Sequence, residues 1–322
     1  MSSMNRFASA LLLATGLVAS ATAAQAAYPE HTITAIIPFS TGGQSDVQGR
    51  IIAQGLTQIL GQSVVVENKP GAGGNLGISI GERAKPDGYT IVLSSIALTV
   101  NPGLYKVPGW DPEKIQPVAI LATTPITLTV NAAKYPTDTL MSFVARAKAN
   151  PGKLNFSSSS STINERLFSM AAGIEVTIVN YPGAGEATTS TASGETDAST
   201  AAVLVVAPFT QAPAKVRVLA VSGSKRSSML PDVPSAAEAG LPGFSAISYI
   251  MMVVPRATPK DIQVRLNDAA NKLLGNAEIV EKFKNVATDM RTSTIAEAED
   301  FFKKDIAQYK KVIAEGKIAL IE

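Results

Sequence analysis

The stretch 32–46, TITAIIPFSTGGQSD, decides how this chain is read. Its first eight residues, Thr32 to Phe39, are β-branched and apolar, the composition of a buried strand. From Ser45 onward Val47, Ile51, Ile52, Leu56, Ile59 and Leu60 recur on one helical face, and Gly61 ends the pattern. A loop between such a strand and helix lies at the carboxyl edge of a parallel sheet, where ligands bind. The first N–H groups of a helix have no partner within it, and the macrodipole adds about half a positive charge there. Gly42 and Gly43 let the main chain approach a ligand, while Ser40, Thr41 and Ser45 add donors. A carboxylate fits such a site with no arginine. Asp46 has two readings: it caps or compensates the helix start, or it repels a second negative charge and holds a hydroxyl or cation of the ligand.

Working outward, the alternation repeats. Strands are expected at 63–67 and 89–94, with a helix at 78–84 between them. After Trp110 the pattern restarts with a long apolar stretch, 118–131, interrupted by Pro125. A helix at 139–149, a strand at 153–157, a helix at about 163–172 and strands at 175–180 and 216–222 follow, then long amphipathic helices at 258–274 and 295–315. Regular β-α-β-α order argues for an α/β fold with mainly parallel sheets flanked by helices. Junctions near 121–127 and 221–226 divide it into two lobes: 27–123 with 225–322, and 124–224.

The second lobe repeats the device of the first. The run SSSSST, 157–162, lies between a strand and a helix, so Ser158, Ser159, Ser160, Ser161 and Thr162 are candidate ligand contacts. Arg166 stands one turn into that helix, where it can grip a carboxylate bidentately or simply face solvent. YPGAG, 181–185, is a further loop after a strand. GAGGNLG, 71–77, resembles a dinucleotide fingerprint, but Leu76 stands where a glycine is needed.

Composition narrows the function classes. The chain has 322 residues, a net charge of +2, one histidine and no cysteine. This excludes disulfide and thiolate chemistry and argues against nucleic-acid binding. No cofactor and no metal site is expected. Residues 1–26 carry Arg6, the small apolar run FASALLLATGLVASA and an Ala24-Gln25-Ala26 cleavage pattern, the marks of a signal peptide that exports the chain to the periplasm. The apolar run is shorter than the roughly 20 residues of a spanning helix. A secreted hydrolase is disfavoured. His31 is the sole imidazole, no G-x-S-x-G elbow is present, and the S-x-x-K at Ser222 to Lys225 has no supporting constellation.

The strings ITAIIPFSTGGQSD, LGQSVVVENKPGAGGNLG (60–77), PDGYTIVLS (86–94), AKANPGKLNF (147–156), YPGAG and LAVSGSKRSSMLPDVPSAAEAGLPGF (219–244) run through nearly all of the chain after residue 27. In this order the chain resembles the tripartite tricarboxylate transporter receptors, the Bug family of periplasmic solute-binding proteins. The resemblance implies a type II-like, two-lobed binding-protein fold hinged by two crossing segments, with one small mono- or dicarboxylate in the cleft. It implies that Ser94 and Ser95 line that cleft, and that Ser158 to Thr162 with Tyr181 to Gly183 grip the far end of the ligand. The implied partners are permease subunits of a tripartite transporter, or else a sensor kinase, and the receptor is expected to be a monomer. Three departures leave the ligand open. A serine run followed by Arg166-Leu167 replaces a glycine-rich loop followed by His-Leu, Pro182 replaces a lysine, and Ser193 to Asp197 replace a Gly-Gly-Val-Asp string.

Overall fold

The computed structural model describes residues 28–42, 44–159, 162–181, 183–286 and 288–322. Gly43, Ser160, Ser161 and the expected signal peptide lie outside the described residues.

The first lobe begins with β1 (Ile33–Ile37), α1 (Gln44–Leu60), β2 (Val64–Asn68), α2 (Asn75–Glu82), β3 (Thr90–Ser94) and α3 (Ala97–Leu104). β1 pairs in parallel with β2 and β3. Helices cover both its faces, and four of its five residues are buried, which is why the strand reads as an unbroken apolar run. α1 sits unusually close to its neighbours because Gly49 and Gly55 face them. A Cβ on Gly49 would lie 2.3 Å from Ile37 Cδ1, and one on Gly55 2.4 Å from Leu273 Cδ2. Gly49 therefore sets the distance at which the helix rests on the sheet, and Gly55 its distance from Leu273 and Ile279 on the helical layer beside it.

β4 (Ile115–Asn131) is one strand of 17 residues that serves both lobes. The second lobe adds α4 (Leu140–Ala149), β5 (Asn155–Ser159), α5 (Ile163–Ala172), β6 (Thr177–Tyr181), α6 (Ala184–Ser193), β7 (Ala198–Ala202), α7 (Val203–Val206) and β8 (Val216–Val221). The chain then gives β9 (Ile247–Pro255), α8 (Lys260–Lys272), α9 (Ala277–Asn285), β10 (Asp289–Met290) and α10 (Ile295–Glu315). The sheet order is β2-β1-β3-β9-β4-β7-β5-β6, with β8 and β10 also paired to β4.

The wings of this sheet are parallel and its centre is not. β9 runs antiparallel to both β3 and β4, and β4 runs antiparallel to β7 and β8. The expectation of mainly parallel sheets therefore needs correcting to mixed ones. The strand ISYIMMVVP (β9) is not among the strands expected from the sequence.

The lobes change at a definite place. β4 pairs with β9 up to Pro125↔Ile247, and with β7 from Ile126↔Ala202. Proline has no N–H to offer the ladder, and it stands where the ladder changes partner. Ser222 ties the crossing. Its N–H donates to Ile126 O at 2.7 Å, and its hydroxyl accepts from Ile126 N–H at 3.0 Å and donates to Ala246 O. The sequence reading returned the chain to the first lobe at 225. Here Ala236, Leu241, Phe244 and Ala246 share a core with Phe156 and Phe168, and the chain rejoins the first lobe's sheet at Ile247. α10 spans both lobes, with Ala298 and Phe302 in a first-lobe core and Tyr309 and Val312 in the second-lobe core.

Candidate ligand-binding cleft

A cavity of about 710 Å³ lies between the lobes. That is within the range of small-molecule sites. The first lobe contributes Phe39, Gln44, Gly73, Ser95, Ile96 and Ala97, the second Ile163, Asn164, Ala184 and Thr200 to Ala202. Ile126 and Ser248 line it at the crossing. Thus Gln44, Ala97, Ile163 and Ala184, the opening residues of α1, α3, α5 and α6, all face one space.

The N-cap residues of α3 (Ile96), α5 (Thr162) and α6 (Gly183) make no side-chain capping bond. Elsewhere Thr139, Asn276 and Thr294 close the starts of α4, α9 and α10 with their side chains. α2, α7 and α8 lack a side-chain cap too. A helix start leaves main-chain donors for a guest, and α3 is the one of the four at the cavity with no acid in its first turn. Thr162 adopts a left-handed conformation, φ 53°, to turn the chain from β5 into α5.

Asp46 takes the capping side of its two readings. It is 2% exposed and accepts from Gly42 N–H at 2.9 Å, Asn68 Nδ2 at 2.9 Å and Arg50 Nε at 3.1 Å. Burial pushes its carboxyl up, but the bonds from Arg50, Gly42 and Asn68 outweigh that and hold it below the usual aspartate value. Asn68 also donates to Phe39 O, so one side chain ties both ends of the 39–46 loop. Ser40 and Thr41 are exposed on that loop.

The other expected contacts divide. Ser95 lines the cavity, whereas Ser94 is fully buried beside it with its hydroxyl unpartnered among the described residues. Ser158 is buried and donates to Glu165 at 2.8 Å. Arg166 is not among the lining residues; its Cδ lies against Gly316, at the end of α10. Tyr181 bonds Ser190 at 2.6 Å and lines a separate depression with Gly185 and Glu186. Gly183 precedes Ala184, which does line the cleft.

The sequence reading missed the C-terminal tail. Ile318, Ala319 and Ile321 form part of the cavity wall, opposite Val100 and Leu104 of α3. Main-chain bonds from Ile321 N to Leu104 O and from Lys106 N to Ile321 O fasten the tail there. Three apolar residues after a long helix gave a signal too short to separate from an ordinary chain end. Glu165, discussed below, was missed because a glutamate in a first helical turn reads as a surface residue. Among the described residues no group of three or more His, Cys, Asp or Glu could hold a metal, and no helix is long and apolar enough to cross a membrane.

Residues 49–318 match the family described as tripartite tricarboxylate transporter family receptor. The UPF0065 protein in the tcbD-tcbE intergenic region of Pseudomonas sp. strain P51 is 32% identical, over 95% of this chain and 93% of its own length. Among solved structures, a TctC solute binding protein from Polaromonas with no ligand has a TM-score of 0.80 at 26% identity, covering 89% of this chain and 99% of its own. An R. palustris protein with adipate has a TM-score of 0.71 at 28% identity, covering 91% of this chain and all of its own.

Proposed function

The chain belongs to the tripartite tricarboxylate transporter receptor family, and from that premise we propose that it captures a small carboxylate between its lobes for uptake by the membrane subunits of a tripartite transporter. The observation that carries this reading is the meeting of four helix starts, two from each lobe, on one cavity. Their main-chain N–H groups can meet an anion without a fixed cation; the start of α3 alone carries no acid in its first turn, whereas Asp46, Glu165 and Glu186 stand in those of α1, α5 and α6. Such a site favours an anion yet releases it, as a carrier must. The apolar wall of Val100, Leu104, Ile126, Ile163 and Ile318 suits the carbon skeleton.

Uptake requires that ligand prefer the closed form, since a guest with equal affinity for both forms shifts nothing. The crossings at Pro125–Ile126 and Ala246–Ile247 are the place for that motion. The cleft then closes when the second lobe brings the α5 and α6 starts onto a carboxylate held by the first. Export completes the reading: residues 1–26 act as the signal, and the mature chain in the periplasm begins at Ala27. Intact-mass measurement of the exported protein tests this; retention of residues 1–26 would contradict it.

A hydrolase finds no support in the geometry. His31 lies before β1 and stacks on Tyr89 at 3.6 Å between ring centres, at the opposite end of the strand from the cleft. The serines of the cleft therefore have no imidazole beside them.

The test is a thermal-shift screen of mono- and dicarboxylates followed by calorimetry. A carboxylate that raises the melting temperature and binds one to one supports the reading. A transition moved by sugars or cations and by no carboxylate would contradict it.

A further inference from the structure

Glu165 is the third residue of α5, a place where a glutamate ordinarily meets water. Here it is 3% exposed. Its carboxyl accepts the Ser158 hydroxyl at 2.8 Å and the Thr200 hydroxyl at 2.5 Å. Among the described residues no Lys or Arg forms an ion pair with it. Arg166, next in sequence, is the cation whose field it feels. Burial pushes the carboxyl up by more than the bonds from Thr200 and Ser158 pull it down, so it is held above the usual glutamate value.

Thr200 connects this buried group to the cleft, for it lines the cavity beside Ile163 and Asn164. A hydroxyl has one hydrogen to give. Thr200 gives its own to Glu165, so toward the cavity it offers lone pairs only. The start of α5 already carries the protein's own carboxyl group in its first turn. The far end of the cleft is thus an acceptor backed by a buried acid, unlike the start of α3, where no acid stands in the first turn.

We propose that Glu165, acting through Thr200, sets the ligand class: a solute with one carboxylate, held at the first-lobe helix starts, and an uncharged hydrogen-bond donor such as a hydroxyl at its second-lobe end. This rests on the cavity being a carboxylate site. A second carboxylate against Thr200 would meet an acceptor where it needs a donor. A hydroxyl instead completes a relay in which the ligand donates to Thr200 and Thr200 donates to Glu165.

The experiment measures affinity by calorimetry for two matched pairs: 4-hydroxybutyrate against succinate, and 6-hydroxyhexanoate against adipate. Wild-type protein is expected to prefer the hydroxy acid of the better-fitting pair by at least about tenfold, the low end of what setting two acceptors against each other costs. Glu165→Gln keeps acceptor and donor atoms for Ser158 and Thr200 and should shrink that preference to within about threefold. Thr200→Val, which removes the acceptor, should weaken the hydroxy acid and spare plain butyrate or hexanoate. If dicarboxylates bind as tightly as hydroxy acids to wild type, the proposal is overturned while the carboxylate site stands. If hydroxy acids win but Glu165→Gln, folded by circular dichroism, keeps the full preference, Glu165 is not the cause and the proposal is again overturned. If neither class binds, both this proposal and the carboxylate reading fall. The wild-type comparison tests the proposal even if a variant does not fold.

Discussion

The side-chain amide of Asn68, at the end of β2, donates to Asp46 Oδ1 in the first turn of α1 at 2.9 Å. Through this bond the second strand fixes the loop that opens the cleft. The same carboxylate binds the loop's own main chain, with Gly42 N–H on its other oxygen.

Asp46→Asn should lower stability by about 1–3 kcal/mol at pH 7, since a buried charge-assisted acceptor of three donors becomes a partial one. Its carboxyl is held below the ordinary aspartate value, so the folded state disfavours its protonation. The stabilisation is therefore present above the unfolded value near pH 4 and lost as pH falls through the lower folded one. Denaturant titrations of wild type and variant across pH 2–7 should converge at the acid end. Curves that stay parallel would show that Asp46 contributes by packing alone.

Gly42 has φ +83°, and nothing lies within 4 Å of the place its Cβ would occupy. Any loss on substitution then comes from the backbone conformation and not from crowding. Gly42→Val should cost about 1–2 kcal/mol and weaken carboxylate binding, whereas Gly42→Asn, which tolerates that region, should retain most of both. Equal affinities for the two variants would remove this loop from the account.

Asp305 of α10 accepts from Thr99 of α3 at 2.7 Å, and Thr99 bonds Tyr249 of β9 at 2.6 Å. Burial raises the Asp305 carboxyl to about 6, with the bonds from Thr99 and Tyr249 opposing. A raised acid binds its proton more tightly when folded. Its favourable contribution is complete below the unfolded value near pH 4 and is lost as pH rises through about 6. The ceiling is about 3 kcal/mol, and partial contact with solvent lowers it to about 1–2 kcal/mol. Asp305→Asn should thus raise the melting temperature more at pH 7.5 than at pH 4.5. A pH-independent difference would contradict this.

Ser222→Ala removes the hydroxyl shared by Ile126 and Ala246 at the lobe crossing. A loss of about 1–3 kcal/mol in stability is expected, together with a changed ligand-induced contraction in X-ray scattering. Contraction equal to wild type would place the pivot elsewhere.

Much of this architecture was readable in advance. The α10 pattern at 295–315 and the α5 pattern at 163–172 have the bounds expected of them, since each pairs a clear 3.6-residue period with a recognisable start or stop. β9 was not, although an equally apolar run at β1 was, since periodicity alone does not separate a buried strand from a buried stretch of helix. The division between lobes was only half visible. Pro125 marks the first crossing in the sequence itself, whereas 225–246 are polar and turn-rich and give no local sign that Phe244 belongs to the second core. At the site, strand-to-helix loops were legible from glycine and hydroxyl content. The directions of Ser158, Arg166 and Tyr181 were not, since direction depends on which face of a strand or helix each residue takes.

The most direct measurement is a crystal structure with a carboxylate that raises the melting temperature. The ligand is expected in the inter-lobe cavity, with one carboxylate within hydrogen-bond distance of main-chain N–H groups at the α1 or α3 start and its other end against Ile163, Asn164 or Ala184. A guest bound outside that cavity, or one whose acid group is held by side-chain cations and meets no helix start, would contradict the account.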